Sequence, residues 1–183
     1  DELVISVERV LEKQKHLVVH APTGLGKTAA TLGPSISHAL ENDLTVFFLT
    51  SRHTQHRIAL DTVKEIEKRY DITIPVANLI GKKHMCLQKG AENLYSGEFI
   101  EYCRKLREDG KCSFYENLKK NNSLSIDARR ALERAIRTPD SQSLRVIGQD
   151  CHVCPYEIGV LAAQKAKVIV TDYFYIFNPA IRD

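Results

Sequence analysis

The chain has 183 residues, 43% of them hydrophobic and 27% charged, and no tryptophan. That is enough for one well-filled core, or for one core with a small satellite. No apolar run approaches the roughly 18–20 residues that cross a bilayer, and Asp1 and Glu2 stand where a signal peptide would be basic. An intracellular protein without a membrane partner is therefore expected. The first residues fall straight into a helical pattern, and Ile181-Arg182-Asp183 end just past a turn, so both ends read as cuts in a longer protein. The formal net charge of +3 is uneven: residues 82–155 hold 14 Lys and Arg against 10 Asp and Glu, the remainder 12 against 13. A surplus that small fits a solvated surface, and by itself points only weakly to nucleic acid.

In chain order, Leu3, Val4, Val7, Val10 and Leu11 recur at helical spacing. Leu17–Ala21 is a short apolar run, rich in β-branched residues and stopped by Pro22, and reads as a buried strand. A glycine-bearing turn over Thr23–Gly26 leads into a helix from Lys27 to about Leu40. Thr45–Thr50 reads as a second buried strand. A helix from Thr54 to Arg69 follows, with Ile58, Val63 and Ile66 on one side, and Val76–Ile80 is a third strand. From Gly81 to Pro155 the chain turns polar and cysteine-bearing, with Ser125 opening a charged helix that ends near Thr138-Pro139. The first pattern then resumes with a helix over Ile158–Lys165, a buried strand over Val168–Thr171, and an aromatic segment over Tyr173–Phe177 closed by Asn178-Pro179.

Continuous apolar strands alternating with helices predict a parallel sheet covered on both faces. The expected fold is α/β: a RecA-like P-loop domain, a parallel sheet flanked by helices, interrupted by a small, mainly helical cysteine-rich domain. Its parts are residues 1–81, an insert over 82–155, and a continuation over 156–183.

Ala21-Pro22-Thr23-Gly24-Leu25-Gly26-Lys27-Thr28 matches the phosphate-loop pattern except that Ala21 replaces its first glycine. Gly24 and Gly26 let successive backbone N–H groups turn toward phosphate oxygens, and the helix beginning near Lys27 adds its positive end. Lys27 is placed to reach the β- and γ-phosphates of ATP, and the Thr28 hydroxyl to ligate magnesium. Hydrolysis also needs an acidic pair after a later strand. Asp172 follows the Val168–Thr171 strand, but it heads an aromatic segment and reads better as a turn or cap residue; the pair is expected beyond Asp183.

Five cysteines, at 86, 103, 112, 151 and 154, fall within 69 residues and none lies elsewhere. Only Cys151 and Cys154 have the short spacing of a zinc knuckle. Scattered thiolates suit the four corners of an iron–sulfur cube, yet a zinc site and plain buried cysteines remain open on spacing alone. His84 and His152 sit beside cysteines, where a solvated or supporting role is favoured over ligation.

Together these stretches resemble the XPD family of superfamily-two, iron–sulfur-containing DNA helicases, the group that takes in XPD, FANCJ and DinG. Ala21–Thr28 is similar to the family's nucleotide loop, and Phe48-Leu49-Thr50-Ser51-Arg52-His53-Thr54-Gln55 to its next motif. Gly81–Cys86, Cys103, Cys112–Glu116 and Cys154-Pro155-Tyr156 resemble its cysteine series, and Val168–Pro179 the segment before its acidic box. The resemblance implies a 4Fe-4S cluster on Cys86, Cys103, Cys112 and Cys154, with Cys151 an alternative ligand or a spare thiol. It implies an ATP-dependent, 5′-to-3′ DNA helicase active in repair, such as nucleotide excision repair, on single-stranded or forked DNA. It also implies a monomeric motor among repair-complex subunits, cytoplasmic in a prokaryote and nuclear in a eukaryote. Thr50, Arg52, Thr54 and Gln55 are the DNA-backbone candidates, with the Ser51 hydroxyl beside them. Phe114, Tyr115, Tyr173, Phe174 and Tyr175 are expected as core more than as DNA platforms. The second motor domain is absent, so this stretch alone is expected to lack helicase activity. A nucleotide-binding regulatory module with structural zinc is the alternative, and an RNA motor would use the same backbone contacts.

Overall fold

The computed structural model describes residues 2–22 and 24–178. In chain order these form α1 (Glu2–Glu12), α2 (Lys27–Glu41), β1 (Val46–Leu49), α3 (His53–Tyr70), β2 (Val76–Leu79) and α4 (Lys82–Met85). A 3-10 turn over Ala91–Asn93 precedes α5 (Ser96–Glu108) and α6 (Ser113–Glu116), and a two-stranded ribbon follows, β3 (Lys119–Lys120) and β4 (Ser123–Leu124). Then come α7 (Ile126–Arg137), α8 (Ser141–Asp150), α9 (Pro155–Ala163), β5 (Val168–Thr171) and α10 (Phe174–Phe177). The chain divides into two compact units, one of residues 1–76 with 166–183 and the other of residues 77–165.

In the first unit β1 runs parallel to β5, with Val46 beside Val168 and Leu49 beside Thr171. Because alternate strand residues face opposite ways, Val168 and Val170 point together into a cluster with Leu32 and Ile36 of α2 and Ala59, Leu60 and Val63 of α3. The α/β expectation of a parallel sheet flanked by helices holds. On α3 the buried stripe is His56, the neighbours Ala59 and Leu60, and Val63, with three or four residues from one turn to the next, which leaves Ile58 52% exposed rather than on the packed side.

The second unit is built on α7, α8 and α9. Ala128, Ala131, Leu132 and Ala135 give α7 a narrow buried stripe against Leu144, Ile147 and Ile158, its charged residues facing away. Ser125 caps α7 by accepting from the Ala128 N–H at 3.0 Å, and Asp140 caps α8 by accepting from the Ser143 N–H at 2.9 Å.

Two expectations fail. Leu17–Ala21 is not a strand: the segment is irregular, and Val18 is 97% exposed. A β-branched run becomes a strand only where neighbours accept its ladder, and no described strand pairs with this one. Tyr173 and Phe174 are not core either, while Tyr175 is half-buried. Phe174–Phe177 coil into a helical turn, and Tyr173, Phe174 and Phe177 are all exposed.

Gly148 marks the tightest packing of the second unit. A Cβ there would stand 2.5 Å from Pro155 Cγ and 2.9 Å from the Val153 carbonyl oxygen, both on the turn into α9. Gly148→Ala is expected to cost about 1–3 kcal/mol, read as an earlier denaturant midpoint. Gly97→Ala, in α5 where a Cβ meets open space, should not lower that midpoint and should if anything raise it.

Candidate functional site

The phosphate-loop residues open α2, a helix of 15 residues. Gly24 and Gly26 take φ of 88° and 72°, in the left-handed region that glycine enters without strain, and α2 begins at Lys27 directly after Gly26. The Lys27 ammonium bends back to donate to the carbonyls of Ala21 at 3.0 Å and Pro22 at 2.6 Å. A cation, two glycine-bent peptides and a helix start thus share one exposed turn, an arrangement that attracts phosphate. Thr28 is half-buried in the first turn of α2, and Leu25 is exposed. Thr23, the remaining loop residue of the expected set, lies outside the described residues.

The segment after β1 is braced from within. Thr50 is 2% exposed; its hydroxyl donates to Gln55 Oε1 and accepts from the Arg52 N–H at 3.3 Å. Thr50 therefore shapes the loop from within. Arg52, Thr54 and Gln55 are exposed at the start of α3. Asp172 does not stand open at the strand end: its Oδ1 lies 3.9 Å from Nε2 of His56, which is buried on α3.

Cys86, Cys103, Cys112 and Cys154 line one small cavity with about 30 Å³ of water-accessible space, together with Phe114 and Tyr115. Cys151 does not: it is buried in the α7–α9 core, where its sulfur accepts from Arg134 Nη1 at 3.8 Å. His84 and His152 do not line the cavity, and the His152 ring lies 4.5 Å from that of Phe114. Phe114 and Tyr115 are half-buried against the cysteines, as the packing expectation for them had it.

The cysteines come from separate segments, and bonds made by other groups hold those segments. Arg145 of α8 donates from Nη1 to the carbonyls of His84 and Cys86, both at 2.8 Å. Gln88 Nε2 reaches Cys112 Sγ at 3.5 Å, and the Cys154 N–H donates to the Phe114 carbonyl at 2.7 Å. Burial raises the thiol pKa of Cys86 and Cys103, with Lys82 and Arg107 pulling Cys103 the other way, and it pushes Cys154 up to about 11. Among the described residues no three His, Cys, Asp or Glu side chains converge on a single metal ion. One zinc would need sulfurs at about 2.3 Å from a common centre, whereas a cube takes one thiolate at each of four separated irons.

Gln88, Arg145, Lys82, Arg107 and Glu157 escaped the sequence reading. Gln88 was within reach of it, two residues beyond Cys86. The others act across distances in the chain that no local pattern records.

The chain thus joins a parallel-sheet unit that carries a glycine-bent loop at a helix start to a helical unit with a cysteine-lined cavity. Residues 48–183 match the DEAD_2 family, and the chain belongs to it. The resemblance to XPD helicases holds too. The chain is 25% identical over 206 residues to the XPD helicase subunit of general transcription and DNA repair factor IIH from Arabidopsis thaliana, covering 98% of this chain and 26% of that protein. It is 20% identical over 204 residues to the regulator of telomere elongation helicase 1 homolog of Caenorhabditis briggsae, covering 94% and 20%. A solved XPD helicase superposes with a TM-score of 0.63 at 25% identity, over 99% of this chain and 28% of that one. The chain spans about a quarter of the length of these relatives.

In metal-free protein the buried Cys154 thiol should alkylate slowly. At pH 8 a pKa of about 11 leaves about one thiol in a thousand ionised, so iodoacetamide labelling, followed by mass spectrometry, is expected to run at least roughly tenfold slower than on an exposed cysteine. Its rate should go on climbing to about pH 11, because burial disfavours the thiolate until then.

Proposed function

We propose that this chain is part of the first motor domain of an ATP-dependent DNA helicase and holds a 4Fe-4S cluster in its cysteine cavity. The observation that carries the reading is the loop in which Gly24 and Gly26 deliver Lys27 to the start of α2. Its likeness to helicase subunits over 98% of its length supplies the rest.

In this reading Ala21–Thr28 wrap the triphosphate. Lys27 exchanges the carbonyls of Ala21 and Pro22 for β- and γ-phosphate oxygens, and Thr28 turns its hydroxyl to magnesium. Arg52, Thr54, Gln55 and Ser51 offer donors to the DNA backbone without reading bases, and Thr50 fixes their loop. ATP-driven closure against a second motor domain would move single-stranded DNA across these residues, in the 5′-to-3′ direction.

Cys86, Cys103, Cys112 and Cys154 are the proposed cluster ligands, and Cys151 is a core residue. When bound, the cluster supplies four metal–thiolate bonds that cross-link α4, α5, α6 and α9. Residues 82–155 would then form a rigid wall at the point where a duplex splits, the insert being bounded as the cysteines bound it. The reading extends to a role in DNA repair, a place among subunits like those of factor IIH, a monomeric motor and a nuclear or prokaryotic cytoplasmic location, and the likeness to a repair-factor subunit supports the first two.

Lys27→Ala is expected to cost about 2–3 kcal/mol of ATP binding, roughly a hundredfold in Kd, measured by calorimetry. If binding is unchanged, the loop reading fails. Protein purified anaerobically should be brown and contain iron with acid-labile sulfide; zinc alone would favour the regulatory module. Cys112→Ser should lose the colour and weaken strand separation by the complete protein while leaving most ATPase activity. Cys151→Ser should keep the iron.

A further inference from the structure

The cavity wall carries two cations as well as four thiols. Lys82 and Arg107 both line it beside Cys86, Cys103, Cys112 and Cys154. They are tied to one carboxylate. Glu157 Oε1 lies 3.1 Å from Lys82 Nζ and 3.4 Å from Arg107 Nη1. Arg107 is further fixed by Tyr115: its guanidinium carbon lies 3.9 Å from the ring centroid, and Nη2 donates to the hydroxyl at 2.6 Å. Three restraints on one arginine leave its charge little freedom to move away from the sulfurs.

Negative charge gathered in a cavity is stabilised by a fixed cation at the wall and destabilised by a fixed carboxylate. An electron added to a centre held by these thiolates makes it more negative, so the two kinds of neighbour act on its reduction in opposite senses. We propose that Arg107, held by Glu157 and Tyr115, sets the reduction potential of the four-cysteine centre. Arg107 is a positioning charge here, touching neither nucleotide nor DNA. The proposal rests on the iron–sulfur reading of the cavity. Side-chain exposures of 32% for Arg107 and 23% for Glu157 admit some solvent screening, so the expected effect is modest.

The test is a redox titration of the full chain, purified anaerobically, with dithionite as the one-electron donor and the reduced centre followed by electron paramagnetic resonance. Arg107→Gln is expected to lower the ratio of reduced to oxidised centre about threefold to tenfold at a fixed potential, tenfold being about 59 mV for a one-electron couple. Glu157→Gln should shift the ratio the other way, and Arg107→Lys should restore most of what Arg107→Gln removes. Shifts of the same sign in Arg107→Gln and Glu157→Gln, or below about twofold in both, with iron retained, would overturn the proposal and leave a simple structural brace. If Arg107→Gln cannot hold iron, the signs from Glu157→Gln and Arg107→Lys decide. Wild-type protein lacking iron and sulfide would sink the cluster reading itself.

Discussion

Sulfur atoms from four segments can face one cavity only if something other than sulfur fixes each segment. The Arg145 guanidinium does most of this for the first, because one nitrogen holds the carbonyls of His84 and Cys86 at once. That clasp sets where Cys86 points, at the end of a helix too short to hold its own direction. Cys154 is set by its N–H on the Phe114 carbonyl, which also ties α9 to the segment carrying Cys112. Behind these bonds stand α7, α8 and α9, whose interlocked small residues leave their backbones little slack.

The phosphate loop follows the opposite logic. It needs no long-range clasp, since two glycines and the first turn of one helix produce it. Its anchorage is the buried face of α2, where Leu32 and Ile36 are 1% and 2% exposed against α3 and β5. A site made from consecutive residues is encoded as a motif. A site made from dispersed residues is encoded in a core, and the motif supplies only its donor atoms.

That difference decides what could be read from residues alone. The loop, the helix over Ile126–Arg137 and the strands Val46–Leu49 and Val168–Thr171 were legible, because each rests on a local pattern of glycines, caps or periodicity. Leu17–Ala21 was misread because strand chemistry without strand neighbours leaves an exposed run. Ile58 was misplaced by one step of helical phase, since the packed stripe passes through His56 and Ala59. Thr50 was legible by its place in a motif, but the bonds of its hydroxyl to Gln55 and Arg52 were not. Arg145, Arg107 and Glu157 were illegible, because nothing near them in sequence marks their partners.

The pair Cys151 and Cys154 shows most plainly how spacing misleads. Two residues between cysteines would place both sulfurs on one metal if the turn were a knuckle. Here Cys151 ends α8 and Cys154 begins α9, and His152 between them takes φ of 52°. Val153 is fully buried, and its N–H bonds back to the Gly148 carbonyl at 2.9 Å. With Val153 drawn inward, Cys151 enters the helical core beside Arg134 while Cys154 faces the cavity. Gly148 makes this turn possible, because a side chain there would collide with Val153 and Pro155. The short spacing is therefore a helix-to-helix turn with a cysteine at each end, and the fourth cavity thiol is chosen by how Val153 packs.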